Sequence, residues 1–239
     1  ESISGQCAKH LRNAVSCCTQ REYMCLIHIS SEQYAAAMSF SVHNLACQRA
    51  DQLIFENVSF SLTPGGALWV RGRNGAGKSS LLRICARLLK PLGGSITWQG
   101  EDILDDPENY VGAYQYLGHQ DALKNAMTVE ENIKFWADYH GKADVATALA
   151  EFDLMPLRDV PAGILSQGQR KRANLARLAA SPAPLWILDE PLSALDRHYI
   201  GKFRKRLSQH LAAGGMAIYA THQDLELDDS KILELGADT

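Results

Sequence analysis

The chain has 239 residues and a net charge of −3, with 46% hydrophobic and 21% charged residues. That allows one large domain or two small ones of ordinary globular composition. It gives no global positive charge for nucleic acid or an anionic membrane surface. No run of about twenty apolar residues is present to span a bilayer. Tyr23–Ile29 is too short and too polar for the apolar core of a secretory leader. Of the six cysteines, Cys7, Cys17, Cys18 and Cys25 precede residue 38, and their spacing holds no C-x-x-C pair for zinc. Cys47 and Cys85 lie in apolar surroundings and read as small core residues.

Residues 1–37 lack sustained periodicity and helix caps. They read as an atypical extension ahead of the working protein, which would start at Met38. The alternative is a short tail that binds a partner. From Met38 two strand-like segments follow, Phe40–Cys47 and Gln52–Leu62, with partial alternation through Phe55, Val58, Phe60 and Leu62. Pro64-Gly65-Gly66 is a turn, and Ala67–Val70 is a short buried strand.

Next comes Gly72-Arg73-Asn74-Gly75-Ala76-Gly77-Lys78-Ser79-Ser80, which contains G-x-x-x-x-G-K-S. A polyphosphate wrapped by backbone N–H groups needs side chains absent where the chain curls, and Gly72, Gly75 and Gly77 meet that need. The loop feeds a helix whose free N–H groups and dipole favour anions. Lys78 would reach the terminal phosphates, and the Ser79 hydroxyl would ligate Mg²⁺. Leu81, Leu82, Ile84, Cys85, Leu88 and Leu89 recur at helical spacing, and Pro91 with Gly93-Gly94 ends the run.

Ser95–Gly100 reads as a strand and turn, and Tyr114–His119 as a strand. The pattern then turns helical, from about 121 to 180. Thr128-Val-Glu-Glu131 is a capping box opening a helix with Ile133, Phe135, Trp136 and Tyr139. A second helix is predicted over Ala143–Leu154, before Pro156 and Pro161 break the chain. Ser166 caps a third helix running to Ala180. Leu185–Leu188 is an apolar run ending in Asp189-Glu190, as expected of a central parallel strand. Tyr199–Ala213 is helical and basic, and Met216–Thr221 and Ile232–Leu235 are strands.

An acidic strand end supplies the other half of a Mg-nucleotide site. Asp189 would hold Mg²⁺, and Glu190 would orient or deprotonate the attacking water. The plain alternative is an acid pair that caps the following turn.

Leu165-Ser166-Gln167-Gly168-Gln169 resembles the signature of ABC-type ATPases, and Trp186–Pro191 resembles their Walker B strand. Ser193-Ala-Leu-Asp196 resembles their D-loop, and Thr221-His222 their switch histidine. Gln120, 42 residues after Lys78 (120 − 78), stands where their Q-loop glutamine is expected. The resemblance covers nearly all of 38–239. It implies an α/β fold: a P-loop NTPase of ABC type, with a mixed central sheet, a small antiparallel β region and a short helical insertion. It also implies a head-to-tail homodimer holding two ATP molecules. Ser166, Gly168, Gln169 and Asp196 of one copy would complete the site of the other. Glu190, His222 and Gln120 would act in catalysis, and Ser79, Gln120 and Asp189 at the metal. Two positions depart from the family pattern. Gln167 replaces a glycine, and Gln48-Arg49-Ala50 stands where an aromatic often stacks on adenine, so Arg49 would stack its guanidinium instead.

Within the ABC proteins, Tyr116–Gln120, Gln169–Arg172, Leu175–Leu178, Leu185–Pro191 and Gly214–Gln223 together resemble the CcmA family, ATP-binding subunits of cytochrome c maturation. That resemblance implies integral membrane partners like CcmB and CcmC, and ATP-driven release of the haem-loaded chaperone CcmE. It implies a peripheral position on the cytoplasmic face of the inner membrane. No nucleic acid partner is expected. Nor is direct haem binding, because no C-x-x-C-H motif occurs. Phe135, Trp136 and Tyr139 read either as a docking groove for a membrane partner or as core aromatics of the insertion. Arg170, Lys171 and Arg172 read as a solvated helix face. The competing functions are the ATPase of another ABC transporter, a soluble ABC ATPase acting on DNA or ribosomes, and a nucleotide-binding subunit without turnover.

Overall fold

The computed structural model describes residues 38–141, 144–181, 183–227 and 229–236. The proposed extension 1–37 lies outside them.

Strands β1 (Phe40–Arg49) and β2 (Gln52–Leu62) form an antiparallel hairpin, joined by β4 (Gly93–Trp98) and β5 (Glu101–Asp102) in the order β2-β1-β4-β5. A second sheet has the order β6-β7-β8-β3-β9, from Tyr114–Leu117, Leu185–Asp189, Met216–Ala220, Ala67–Gly72 and Ser230–Leu235. All its pairings are parallel, so parallel and antiparallel geometry are divided between the two sheets. Every residue of β7 and β8 is buried. That is why both read as unbroken apolar runs: a parallel strand covered on both faces has no solvent side.

Helix α1 (Lys78–Cys85) packs on β7 and β8, and its Leu81, Leu82 and Ile84 join one core with the antiparallel sheet. It is shorter than its periodicity predicts. Arg87 takes a left-handed φ of 55°, which ends the helix and leaves Leu88 exposed. Helix α2 (Pro107–Val111) follows, capped by Asp106 with proline in its first turn. Five residues are too few to carry a helical period, so only that Asp-Pro pair announces it. Its Tyr110 is buried, and the hydroxyl donates to Cys85 O.

Helix α3 (Val129–Tyr139) has the expected capping box, with both Thr128–Glu131 bonds formed at 3.2 and 2.8 Å. Helix α4 (Val145–Glu151) is shorter than predicted. Asp144 caps its start, and Asp153 leaves it at φ 53°. Both pack on α5 (Gln167–Ala180) through Val129, Ile133, Leu149, Phe152, Ala173 and Ala176. Helix α6 (Arg197–Ala212) adds Phe203 and Leu207 to this second core. No helix among the described residues is long and apolar enough to cross a membrane.

Candidate functional site

Strand β3 delivers the chain into the glycine loop at Gly72, where φ is 142° and an added Cβ would lie 2.4 Å from Leu235 O. At Gly77 φ is 96°, and an added Cβ would sit 2.5 Å from Ile54 Cγ2 and 2.9 Å from Phe55 Cδ1. The hairpin is therefore pressed against the loop, and no larger residue fits either place. Gly77 is also the N-cap of α1 and gives it no side-chain cap, so the first turn's N–H groups stay available to an anion. Lys78 Nζ donates to Gly72 O at 2.7 Å and Arg73 O at 3.0 Å, folding the ammonium over its own loop. Arg73, Asn74 and Gly75 are exposed at the tip, Ala76 is half-buried against Gly72 and Gly236, and Ser80 is buried.

The loop meets the end of β7 through one bond: Ser79 Oγ donates to Asp189 Oδ1 at 3.1 Å. Asp189 is buried, and its Oδ2 has no hydrogen-bond partner among the described residues. A hydroxyl beside an unmatched buried carboxylate oxygen is a hard oxygen donor set, which suits Mg²⁺.

Glu190 then leaves the strand in a left-handed conformation, φ 50°. Its N–H donates to Ala220 O at 2.9 Å. Its carbonyl accepts from Lys171 Nζ at 2.7 Å, Ser193 N at 3.3 Å and Ser193 Oγ at 3.1 Å. Oε1 of its carboxylate lies 3.6 Å from His222 Nε2. His222 follows Thr221, whose carbonyl is held by Trp69 Nε1 at 3.1 Å.

Ser166 caps α5, accepting from Gln169 N at 3.3 Å, while Gln169 Oε1 accepts from Ser166 N at 2.8 Å. This reciprocal cap was readable as Ser-x-x-Gln. Two N–H groups at this end of the helix are therefore already matched. Gly168 is half-buried, and an added Cβ would lie 3.3 Å from Ala194 O. Asp196 caps α6 through Tyr199 N at 3.1 Å. Gln120 follows β6 in the wall of a cleft of about 650 Å³, lined also by Gln167, Arg170, Lys171 and Asn174. No hydrogen bond joins its side chain to Ser79 or Asp189 among the described residues. Arg49 is exposed at the tip of the β1–β2 hairpin, beside the turn at Ala50-Asp51.

The basic run after the signature is not a solvated face. Arg170 grips Asp121 with two bonds, at 2.7 and 2.8 Å, and also donates to Asn125 Oδ1 and Ala162 O. The Arg170 hydrogen bond holds the Asp121 carboxyl below the usual range. Lys171 is buried, and burial pulls its ammonium down to about 8 against the opposing charges of Glu190, Asp189 and Asp121. Arg172 donates to Phe152 O and Tyr199 Oη. No local pattern marks them, because their partners Asp121, Glu190 and Tyr199 lie 49, 19 and 27 residues away along the chain. The insertion aromatics are not core. Phe135 and Tyr139 are exposed, and half-buried Trp136 lies under the buried Arg177 guanidinium, 4.7 Å from its centroid. Leu88, Tyr114, Tyr116, Trp136, Tyr139 and Arg177 line one groove there.

A glycine loop between a strand and an uncapped helix, facing a strand-end carboxylate pair, defines a P-loop nucleotide-binding domain. A family model whose description reads ABC transporter matches residues 55–193. The chain is 48% identical over 198 residues to the cytochrome c biogenesis ATP-binding export protein CcmA of Rhodospirillum rubrum, across 82% of this chain and 85% of that protein. It is 47% identical over 204 residues to the protein of the same name from Paramagnetospirillum magneticum, across 82% of this chain and 94% of the relative. Among solved structures it resembles a bacterial Atm1-family ABC exporter with ATP bound, at TM-score 0.74 and 25% identity, over 84% of this chain and 38% of that one. The chain belongs to the ABC transporter family, within its CcmA branch of cytochrome c biogenesis ATP-binding export proteins.

Proposed function

We propose that this chain is the ATP-hydrolysing subunit that drives a membrane ABC complex in cytochrome c maturation. The observation that carries it is the Ser79–Asp189 bond, which joins the phosphate loop to the acidic strand end and leaves one buried carboxylate oxygen for a cation. The CcmA relatives support the pathway.

In this reading the loop from Gly72 to Ser80 binds the ATP phosphates through backbone N–H groups, and Lys78 turns its ammonium from Gly72 O and Arg73 O onto them. Ser79, Asp189 and Gln120 would hold Mg²⁺, which would supply charge neutralisation on the phosphate oxygens. Glu190 takes the proton of the attacking water, and His222 orients it. Arg49 lies against the adenine. Ser166, Gly168, Gln169 and Asp196 serve the nucleotide of a second copy, so two chains work head to tail. Residues 38–239 form the working domain, with 121–180 as its helical subdomain.

The groove lined by Trp136 and Tyr139, with exposed Phe135 on the same helix, receives a cytoplasmic segment of integral membrane subunits like CcmB and CcmC, so the chain is peripheral on the cytoplasmic face of the inner membrane. Neither nucleic acid nor direct haem binding enters the scheme. Lys78→Ala tests it in the membrane complex. ATP binding and cytochrome c maturation should be lost together, and maturation that survives without ATP binding rejects the function.

A further inference from the structure

One carbonyl ties the two ends of this ATPase together. Lys171 sits one turn inside α5, the helix whose N-cap is Ser166. Its ammonium runs inward to Glu190 O at 2.7 Å. Ser193 donates twice to the same oxygen, from N and from Oγ. Three donors on one carbonyl hold a glutamate at φ 50°, a conformation that non-glycine residues leave unless their surroundings fix it. The carboxylate this aims is the one 3.6 Å from His222. A hydrogen bond of one lysine to a backbone oxygen is common structural glue. Here the oxygen belongs to a strained residue beside the cation-binding carboxylate, and the donor belongs to the helix that would face a second nucleotide.

We propose that Lys171 is a positioning residue that transmits the placement of its own signature helix to Glu190. Since α5 is a rigid 14-residue helix, seating Ser166 on the partner's nucleotide moves Lys171 with it. The cleft that Lys171 lines beside Gln120 gives that turn room to move. One ATP site is thus linked to the other through a single chain: signature, Lys171, Glu190 backbone, Glu190 carboxylate. The link would couple the two composite sites through each chain. It rests on the reading of Glu190 as the base.

The test is steady-state ATPase of the intact membrane complex with Lys171→Met, which keeps the stem and removes the donors. Loss of one charged hydrogen bond to the aiming carbonyl should lower kcat by about tenfold. KM for ATP and the melting temperature should stay near wild type, and the Hill coefficient for ATP should fall toward one. Lys171→Arg, which has space in the adjoining cleft, should restore most of kcat. Ser193→Ala, on an exposed-side loop, should give a smaller kcat loss and serves if Lys171→Met does not fold. Wild-type kcat and cooperativity in either Lys171→Met or Ser193→Ala overturns the relay, as does a kcat loss matched by a fall in melting temperature that Arg does not rescue. Glu190→Gln is measured alongside. If it turns over normally the base assignment fails; if it is inactive while Lys171→Met is normal, the relay alone fails.

Discussion

His222 Nε2 stands 3.6 Å from Glu190 Oε1, although the two residues come from the ends of different parallel strands. The pair shares register: Asp189 on β7 lies beside Ala220 on β8, so each strand's next residues emerge together. Glu190→Gln should keep ATP binding and lower turnover by about 10²–10⁴, the usual range for a lost general base. His222→Ala should lower turnover without changing ATP affinity. Single-turnover hydrolysis alongside equilibrium nucleotide binding separates the effects, and normal turnover in Glu190→Gln would remove it from the chemistry.

Gly77→Ala should be severe for its size. The new Cβ would occupy the space of Ile54 and Phe55, at φ 96°. A left-handed alanine costs roughly 1–2 kcal/mol even without a clash. Expected are a lowered melting temperature and lost nucleotide binding, read by thermal unfolding with and without ATP. A variant as stable as the parent, with ATP still raising its melting point, contradicts the close fit.

Arg170→Ala cuts the tie between α5 and the loop after Gln120, since that guanidinium alone meets Asp121, Asn125 and Ala162. Both partners of the ion pair are partly exposed, so solvent screens much of it. A loss of about 1–2 kcal/mol is expected from the set. Hydrogen exchange should rise at residues 118–125 while β7 and β8 stay protected.

Stability should fall with acid before the carboxylates titrate. His210 stacks on Trp186 at 4.0 Å and shares its Nε2 with Met216 O. Burial, with the Arg206 charge nearby, pulls its pKa from 6.5 to about 4. Between those values the unfolded chain binds a proton that the folded one refuses. The contribution is therefore complete above pH 6.5, declines as pH falls, and is flat below about 4. The slope is about 1.4 kcal/mol per pH unit at most. His210→Phe keeps the stacked ring and should flatten this limb in melting curves from pH 4 to 7, and an unchanged limb would point to another group.

Much of this was legible because it is local. The loop at Gly72–Ser79, the caps at Thr128 and Ser166, and the apolar strands β7 and β8 each show their physics within a few neighbouring residues. What stayed hidden depends on contacts far apart in sequence. Lys171 and Arg170 look like surface charges until Glu190 and Asp121 are brought to them. The early end of α1 is set by Arg87, which reaches Pro107 O and has no glycine to mark the turn. Phe135 and Tyr139 look like core by hydropathy, yet α3 turns them outward because Val129, Ile133 and Ala137 already fill its buried face.

Glu190's backbone has an evolutionary consequence. Glycine or asparagine would sit more comfortably at φ 50°. A search for heat-resistant variants that ignored turnover would drift toward those residues at this position. On the proposal that Glu190 is the base, the survivors would be sturdier proteins that hold nucleotide and do nothing with it. The glutamate is there against the preference of its own peptide chain, which makes it a position where fitness and folding pull in opposite directions.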